Sequence, residues 1–320
     1  MNNSKKKNIL ISAGGTAGHV LPAIEVAKEF YSRGYLVSFF TDSRMYNDIK
    51  SKPNFINGEI KLFSIKGRGI DRTNIFKNII TLILMTIGIL QSFSRLIFIR
   101  PVIAIGFGGY ITVPVLLACY IFRVKIFIHE GNAILGKANK LLYKISKNLM
   151  THFPELKNID KKKVNYCFVG MPVRPEILDL YQLNYKMDKT INLLITGGSL
   201  GAGVMSLNIA QAIIRFPKDL KLKLRIVQQV RKEHIKELRN IYNINGIKAE
   251  LHIFINDMAK YLKWSNIVIC RCGASTIAEN LISGRPSIMI PFAKSAENHQ
   301  FLNSKLVENK GAGWIITEDK

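Results

Sequence analysis

The chain is predicted to be α/β, with two domains that each carry a doubly wound parallel sheet, and three observations predict it. Short apolar runs alternate with longer helical stretches along all 320 residues. Several of those runs end in glycine. Two glycine-rich turns, about 180 residues apart, occupy equivalent places in the two halves. Continuous apolar runs of four to six residues mark strands covered on both faces, as in parallel sheets wrapped by helices. At this length, two domains of roughly 150 residues are the natural expectation.

In the first half the expected strands are Ile9–Ser12, Leu36–Thr41, Val102–Ile105, Lys125–Ile128 and Val164–Val169. The second half repeats the rhythm with Leu193–Thr196, Leu224–Gln228, Leu251–Phe254, Ile267–Cys270 and Ser287–Ile290. Lys5–Lys7 ahead of the first run resembles the start of a signal peptide. The apolar run is too short for one and meets a glycine turn, so it reads as a strand. The segment Gly170–Ile177 holds two prolines after a strand and is the expected hinge. The domains are therefore placed at 1–170 and 171–320.

The stretch Ile79–Ile99 has Arg95 as its single charge and is long enough to span a bilayer. Three fates are open: a span, a buried core helix, or a helix lying on a membrane surface. Strands continue on both sides of it, which argues against a span, and apolarity nearly all round argues against a core helix. Lys66, Arg68, Arg72, Lys77, Arg100, Arg123 and Lys125 flank it in sequence, which favours reversible attachment to an anionic surface.

The balance of charge is strongly basic, 46 Lys and Arg against 22 Asp and Glu. Residues 1–171 hold 25 basic and 9 acidic residues, and residues 172–320 hold 21 and 13. Such an excess fits a negative partner: anionic lipid, a phosphorylated substrate or nucleic acid. No basic motif interleaved with aromatics supports nucleic acid. Cys119, Cys167, Cys270 and Cys272 show no paired spacing, which excludes a zinc ribbon or disulfide framework and fits a reducing compartment.

The first glycine turn reads GGTAGH, with Gly14, Gly15, Thr16, Gly18 and His19; the second reads GGSLGAG, with Gly197, Gly198, Ser199 and Gly201. A strand, a tight turn and a helix N-terminus form an anion cradle, because backbone N–H groups point outward and the helix dipole favours negative charge. Neither turn has the G-x-G-x-x-G spacing of dinucleotide-binding folds; Asp42 follows the second strand where a ribose-binding acid would sit, and could equally be a turn residue. A phosphate loop ending in GK[ST] is absent. His19 stands at the mouth of its cradle, where a neutral imidazole can accept a hydroxyl proton.

GFGGY, with Gly108 and Gly109, and HEGN, with Glu130 and Asn132, also follow strands, at the ends where open α/β sheets bind ligands. Asn132 both donates and accepts hydrogen bonds, as sugar hydroxyls require. In CRCGASTIAE, Ser275 or Thr276 is the expected helix N-cap. Glu279 there could grip a vicinal diol, or could close a capping box with Thr276. His299 and Gln300 enter a later helix.

In this order, GGTAGHVLPA, GFGGY, HEGN, PVRPEI, GGSLGA, FINDM, CRCGAST–E and PF…HQ–LN closely resemble the MurG family of UDP-N-acetylglucosamine:undecaprenyl-pyrophosphoryl-muramoyl-pentapeptide N-acetylglucosaminyltransferases. The resemblance runs from about Ile9 to Ile316. It implies a GT-B glycosyltransferase fold of two Rossmann-like domains facing a cleft. The first would be the acceptor-binding, membrane-associating domain and the second would bind the UDP-sugar.

The implied reaction moves N-acetylglucosamine from UDP to the 4-hydroxyl of lipid I with inversion, giving lipid II. His19 would be the base, with Glu130 in reserve. Ser199 and its loop would hold the diphosphate, Ile255 would offer backbone to uracil, and Glu279 would take the ribose. Arg174, Ala274, Ser275 and Thr276 would line the nucleotide site. Gln300, His299 and Asn132 would address the sugar, with Thr16 and His19 from the opposite wall and Gly18 also binding substrate. Gly14, Gly15, Gly108 and Gly109 would face the acceptor pyrophosphate.

The implied partners are UDP-N-acetylglucosamine, lipid I, an anionic membrane surface and cell-wall synthesis proteins, with no nucleic acid and no cofactor or metal. The implied location is the cytoplasmic face of the bacterial inner membrane, as a peripheral protein. Other readings are a different lipid-acceptor GT-B transferase and a non-catalytic UDP-sugar-binding homologue.

The chain departs from the family at Ala17, Gly131, Met171, Leu200, Cys272, Ser275 and His299. The family's closing C-terminal helices are expected to be missing. If the turn needs a positive φ at Ala17, the methyl there costs about 1–2 kcal/mol.

Overall fold

A computed structural model of the chain describes residues 6–69, 75–157, 159–181, 183, 189–197 and 203–318. The chain divides into two compact units, Met1–Pro172 and Val173–Lys320.

Unit 1 begins β1 (Asn8–Ser12), α1 (Ala17–Ser32), β2 (Leu36–Thr41), α2 (Ser43–Ile49), α3 (Pro53–Ile56) and β3 (Ile60–Ser64). It continues α4 (Ile75–Ile99), β4 (Ile103–Gly106), α5 (Thr112–Ile121), β5 (Lys125–Glu130), α6 (Lys137–Leu142), β6 (Asn148–Thr151) and β7 (Asn165–Phe168). Its sheet has the order β3-β2-β1-β4-β5-β6-β7, parallel throughout.

Unit 2 begins α7 (Pro175–Leu178), β8 (Ile191–Thr196), α8 (Gly203–Ile214), α9 (Lys218–Lys223), β9 (Leu224–Gln229), α10 (Ile235–Ile244) and β10 (Lys248–His252). It ends α11 (Met258–Trp264), β11 (Ile267–Cys270), α12 (Ala274–Ile282), β12 (Ser287–Met289), α13 (His299–Glu308) and β13 (Gly313–Ile315). Its sheet, also parallel, has the order β10-β9-β8-β11-β12-β13.

The alternation of side chains along a strand builds both faces of the first sheet. Leu10, Phe40, Ala104 and Ile128 pack on one face with Leu116 of α5. Ile9, Ile11, Phe39 and Ile105 pack on the other with Val20, Ala23 and Ile24 of α1. Each fully buried Ile, Leu or Phe contributes about 1.5–3 kcal/mol relative to exposure. In unit 2, Leu193, Ile195 and Ile226 meet Ile209 and Ile213 of α8 and Leu238 and Tyr242 of α10.

Strand order reverses between β1 and β4 in one sheet and between β8 and β11 in the other. Helices leave to opposite faces at such a point, opening a crevice at the strands' C-terminal ends. The turn after β1 lies there, and Gly197 stands there directly after β8.

Four strand expectations need correction. β10 runs Lys248–His252 rather than Leu251–Phe254; it is an edge strand with alternating burial, and Ile253 and Phe254 are exposed in the following loop. β3, β6 and β13 went unforeseen. β3 is an edge strand whose Lys61 and Ser64 break the apolar signal, and β6 and β13 have only four and three residues.

The Ile79–Ile99 stretch lies within one 25-residue helix, α4, about 37 Å long at 1.5 Å per residue. It is long and apolar enough to cross a membrane, yet only 17% of its most apolar stretch is buried, which overturns the core-helix reading. Ser92 and Leu96 face inward. Ile79, Leu82, Ile83, Leu90 and Phe98 are exposed, Phe98 by 85%. Gln91 accepts a hydrogen bond from the Lys66 N–H at 2.9 Å, fixing the helix to the end of β3. Arg72 lies outside the described residues.

Candidate active site

In unit 1 the turn after β1 is held from the side by Asp42, which is 4% exposed. Its Oδ2 accepts from the Gly15 N–H at 2.7 Å, and its Oδ1 accepts from the N–H groups of Arg44 and Met45 at 3.1 Å, capping α2. Arg44 donates to the Gly15 carbonyl. One Asp42 oxygen therefore holds the turn and the other caps α2, which makes Asp42 a turn residue and not a ribose-binding acid. Burial, then the Asp42 charge, raises the Tyr110 phenol above its usual pKa, and the phenol hydrogen-bonds to Asp42.

The GFGGY turn after β4 closes on the turn after β1. Gly109 has φ +83°, and a Cβ there would fall on the Gly14 carbonyl oxygen. Gly108, at φ +91°, would bring a Cβ to 3.1 Å from His19 Cδ2 and 3.3 Å from Nε2, so the imidazole lies flush on bare backbone. Thr16 Oγ1 is 3.2 Å from His19 Nδ1. When Nδ1–H donates to Thr16, Nε2 is the basic nitrogen and lies on the Gly108 side.

Ala17, the first residue of α1, is not among the residues with positive φ, so the cost expected for its methyl does not arise. Gly18 is exposed in the first turn of α1.

Glu130 is 3% exposed and fully engaged. Oε1 accepts from Asn132 N–H at 2.9 Å and Asn132 Nδ2 at 3.1 Å; Oε2 accepts from Gly136 N–H at 2.8 Å and Asn139 Nδ2 at 2.9 Å. A carboxylate accepting four bonds organises its loop and positions Asn132; its reading as a reserve base is corrected. Beside it His129 is buried, which lowers its pKa, and its neutral Nε2–H donates to the Gly170 carbonyl at 2.9 Å.

In unit 2 the nucleotide-site candidates gather at the start of α12. Ala274, Ser275 and Thr276 form its first turn, where N–H groups have no acceptor within the helix. The N-cap is Gly273, without a side-chain cap, so the expected cap at Ser275 or Thr276 is corrected. Glu279 makes no capping box. Its Oε1 accepts from Arg174 Nη2 at 3.1 Å, across 105 residues of sequence. Burial raises the Glu279 pKa, and the Arg174 charge opposes that shift. Ile255 is 5% exposed, its side chain anchoring the loop between β10 and α11.

Gln300 Oε1 accepts from the N–H groups of Cys272 (3.2 Å) and Phe292 (3.0 Å), joining the β11 turn to the loop after β12. His299 Nδ1 donates to Ala296 O at 2.7 Å. Sequence reasoning missed Arg271. Its side chain is 7% exposed, and its guanidinium donates to Ile290 O at 3.2 Å and to Glu318 at 2.5 Å, while Glu318 accepts from Ala293 N–H at 2.9 Å. Ser199 and the rest of its turn, residues 198–202, lie outside the described residues; Gly197 directly follows β8 before them. Among the described residues no group of three or more His, Cys, Asp or Glu side chains could hold a metal ion.

Residues 9–151 match the glycosyltransferase family 28 N-terminal domain, and residues 192–320 match the family's C-terminal domain. The chain belongs to glycosyltransferase family 28, on its MurG branch. Among family 28 relatives, a Paramagnetospirillum magneticum protein is 35% identical over 99% of this chain and 85% of its own length. It is named UDP-N-acetylglucosamine--N-acetylmuramyl-(pentapeptide) pyrophosphoryl-undecaprenol N-acetylglucosamine transferase. A Pseudomonas aeruginosa protein of the same name is 33% identical over 98% of this chain and 85% of its own.

The crystal structure of Acinetobacter baumannii MurG is similar with a TM-score of 0.75 and 25% identity, covering 98% of this chain and 86% of that one. A UDP-glucosyltransferase from Polygonum tinctorium shares the fold, with a TM-score of 0.71 at 14% identity, covering 99% of this chain and 87% of that one. Family 28 membership and these neighbours make each unit one Rossmann-like half of a GT-B glycosyltransferase.

Proposed function

We propose that this chain transfers N-acetylglucosamine from its UDP ester to the 4-hydroxyl of the muramoyl residue of lipid I, forming lipid II for peptidoglycan. The observation that carries the reading is 33–35% identity, over nearly the whole chain, to transferases named for this reaction. In unit 1, His19 Nε2 takes the proton of the acceptor hydroxyl as its oxygen attacks the anomeric carbon from the face opposite the nucleotide. The anomeric bond to the diphosphate breaks, UDP leaves with the electron pair, and the configuration inverts. Positioned base catalysis of this kind contributes about 10²–10⁴-fold.

In unit 2 the Glu279 carboxylate takes the ribose hydroxyls once Arg174 yields it, and the first turn of α12 receives phosphate. Ser199 joins this set by its place in the GGSLGA motif. Gln300, His299 and Asn132 read the sugar, and the glycine turns after β1 and β4 receive the acceptor pyrophosphate. The exposed face of α4, with cations at its end, lies on the anionic inner leaflet of the cytoplasmic membrane and brings the enzyme to its lipid acceptor.

The deciding assay is UDP release from UDP-N-acetylglucosamine with and without a lipid I analogue. Acceptor-dependent release, with UDP-glucose a poor competitor, is expected. Release onto a diacylglycerol acceptor instead would assign a different lipid-acceptor transferase.

A further inference from the structure

We propose that unit 1 carries a discrete pocket for the phosphate headgroup of an acidic phospholipid at the C-terminal end of α4. The cavity is about 780 Å³, and Lys6, Lys7, Lys61, Arg95 and Arg100 line it with no acidic side chain among the lining residues. Five cations around one cavity repel each other, and a bound phosphate relieves that repulsion. The strand β1 starts at the pocket with Asn8, so the pocket lies at the N-terminal ends of the strands, opposite the glycine turn after β1.

Two cations are held in place. Arg95 stacks over the Phe63 ring at 5.5 Å. Arg100 has φ +44°, a left-handed conformation that glycine adopts far more easily than arginine. Its Nε donates to Ile97 O at 3.2 Å. Complementing the carbonyls at the end of α4 would account for a cation at Arg100. It does not account for Lys6 and Lys7 before β1 or Lys61 on β3.

The pocket opens onto apolar surface: Ile97 and Phe98 line it and continue the exposed stripe of α4. A phosphate with acyl chains beside it suits that boundary better than a free ion. The inference rests on the membrane reading of α4 and deepens it. Nearer the middle of the helix, Met85 packs beside Gly67, whose other neighbours are Tyr110 of the GFGGY turn and Ile111 after it. The pocket therefore anchors α4 at the end distant from the acceptor turns.

The test uses the full chain and phosphatidylcholine vesicles carrying phosphatidic acid or phosphatidylglycerol at matched surface charge. Wild type is expected to prefer phosphatidic acid, whose monoester can carry a second negative charge. Arg100→Gly suits the local backbone and should weaken that binding about fivefold, and the triple variant Lys61→Gln/Arg95→Gln/Arg100→Gln about a hundredfold. A control of equal charge change, Lys218→Gln/Lys223→Gln/Lys236→Gln in unit 2, should keep the preference. Equal losses in both triples, or a preference that survives the pocket triple, would overturn the pocket.

Soluble dihexanoyl phosphatidic acid, titrated without vesicles, separates the two readings. Binding that Arg100→Gly weakens, with no vesicle association in wild type, would sustain the pocket and reject the membrane reading. No binding of this probe overturns the pocket, as does equal competition by inorganic phosphate.

Discussion

At the scale of single residues, the site is built from side chains whose hydrogen bonds are already committed. His19 is oriented by Thr16 and seated on Gly108, so His19→Ala should lower kcat by 10²–10⁴-fold and leave the UDP-N-acetylglucosamine KM nearly unchanged. A wild-type kcat would remove His19 from the chemistry. Glu279→Gln should raise the donor KM about 10–100-fold, because charged hydrogen bonds contribute about 1.5–3 kcal/mol. The raised pKa of Glu279 gives this binding a pH signature. Donor affinity should fall as pH drops through that pKa and the carboxylate becomes neutral. Arg174→Gln should move the fall to higher pH, by removing the charge that favours ionisation. A donor KM flat with pH in both proteins would show that the carboxylate does not hold the ribose. His19 and Glu279 were legible in the sequence from their positions after glycine turns. The bond from Gly15 to Asp42 and the Arg271–Glu318 pair were not, because the partners lie 27 and 47 residues apart and only folding brings them together.

At the scale of elements, α4 and the β6 end carry the informative strains. Gly88 lets α4 approach the chain after β3 so closely that a Cβ would overlap the Lys66 carbonyl oxygen. Gly88→Ala should therefore destabilise unit 1 by about 1–3 kcal/mol, measured by denaturant unfolding. An unchanged midpoint would show that α4 shifts freely. Directly after β6, His152 is 8% exposed, neither ring nitrogen has a hydrogen-bond partner, and burial pushes its pKa down to about 4. Its folded pKa lies below the unfolded value of about 6.5, so the unfolded chain gains the proton first as pH falls. Stability should be full above pH 6.5 and decline towards pH 4, by about 3 kcal/mol from this residue. In His152→Met that acid limb should flatten, as read from unfolding midpoints between pH 7 and 4.5; an identical slope would place the titration elsewhere. The apolar run of α4 was plain in the sequence. Its apolarity nearly all round already argued against a core helix; that Ser92 and Leu96 are the residues turned inward was not legible, because it depends on what packs against the helix.

At the scale of the whole molecule, the excess of 46 basic over 22 acidic residues sets how it meets charged partners. Exposed charges are screened within about 8–10 Å at physiological ionic strength. Binding to acidic vesicles should therefore weaken at least tenfold between 0.05 and 0.5 M salt, leaving a salt-resistant remainder from the apolar face of α4. Replacing Leu82 and Leu90 by serine should remove that remainder. Salt-independent binding would show that charge takes no part.

The sequence by itself determined the doubly wound class, the placement of ten strands or their neighbourhoods, the glycine turns at the strand ends and the family. All of these are written in local patterns: apolar runs, turn residues and ordered motifs. Tertiary structure alone decided that Asp42 braces the first turn, that Glu130 is consumed by its own loop, that Glu279 is paired with Arg174, and that five cations share a pocket. Each depends on which distant segments meet. Those meetings follow from sheet order and helix packing, which no local window of residues records.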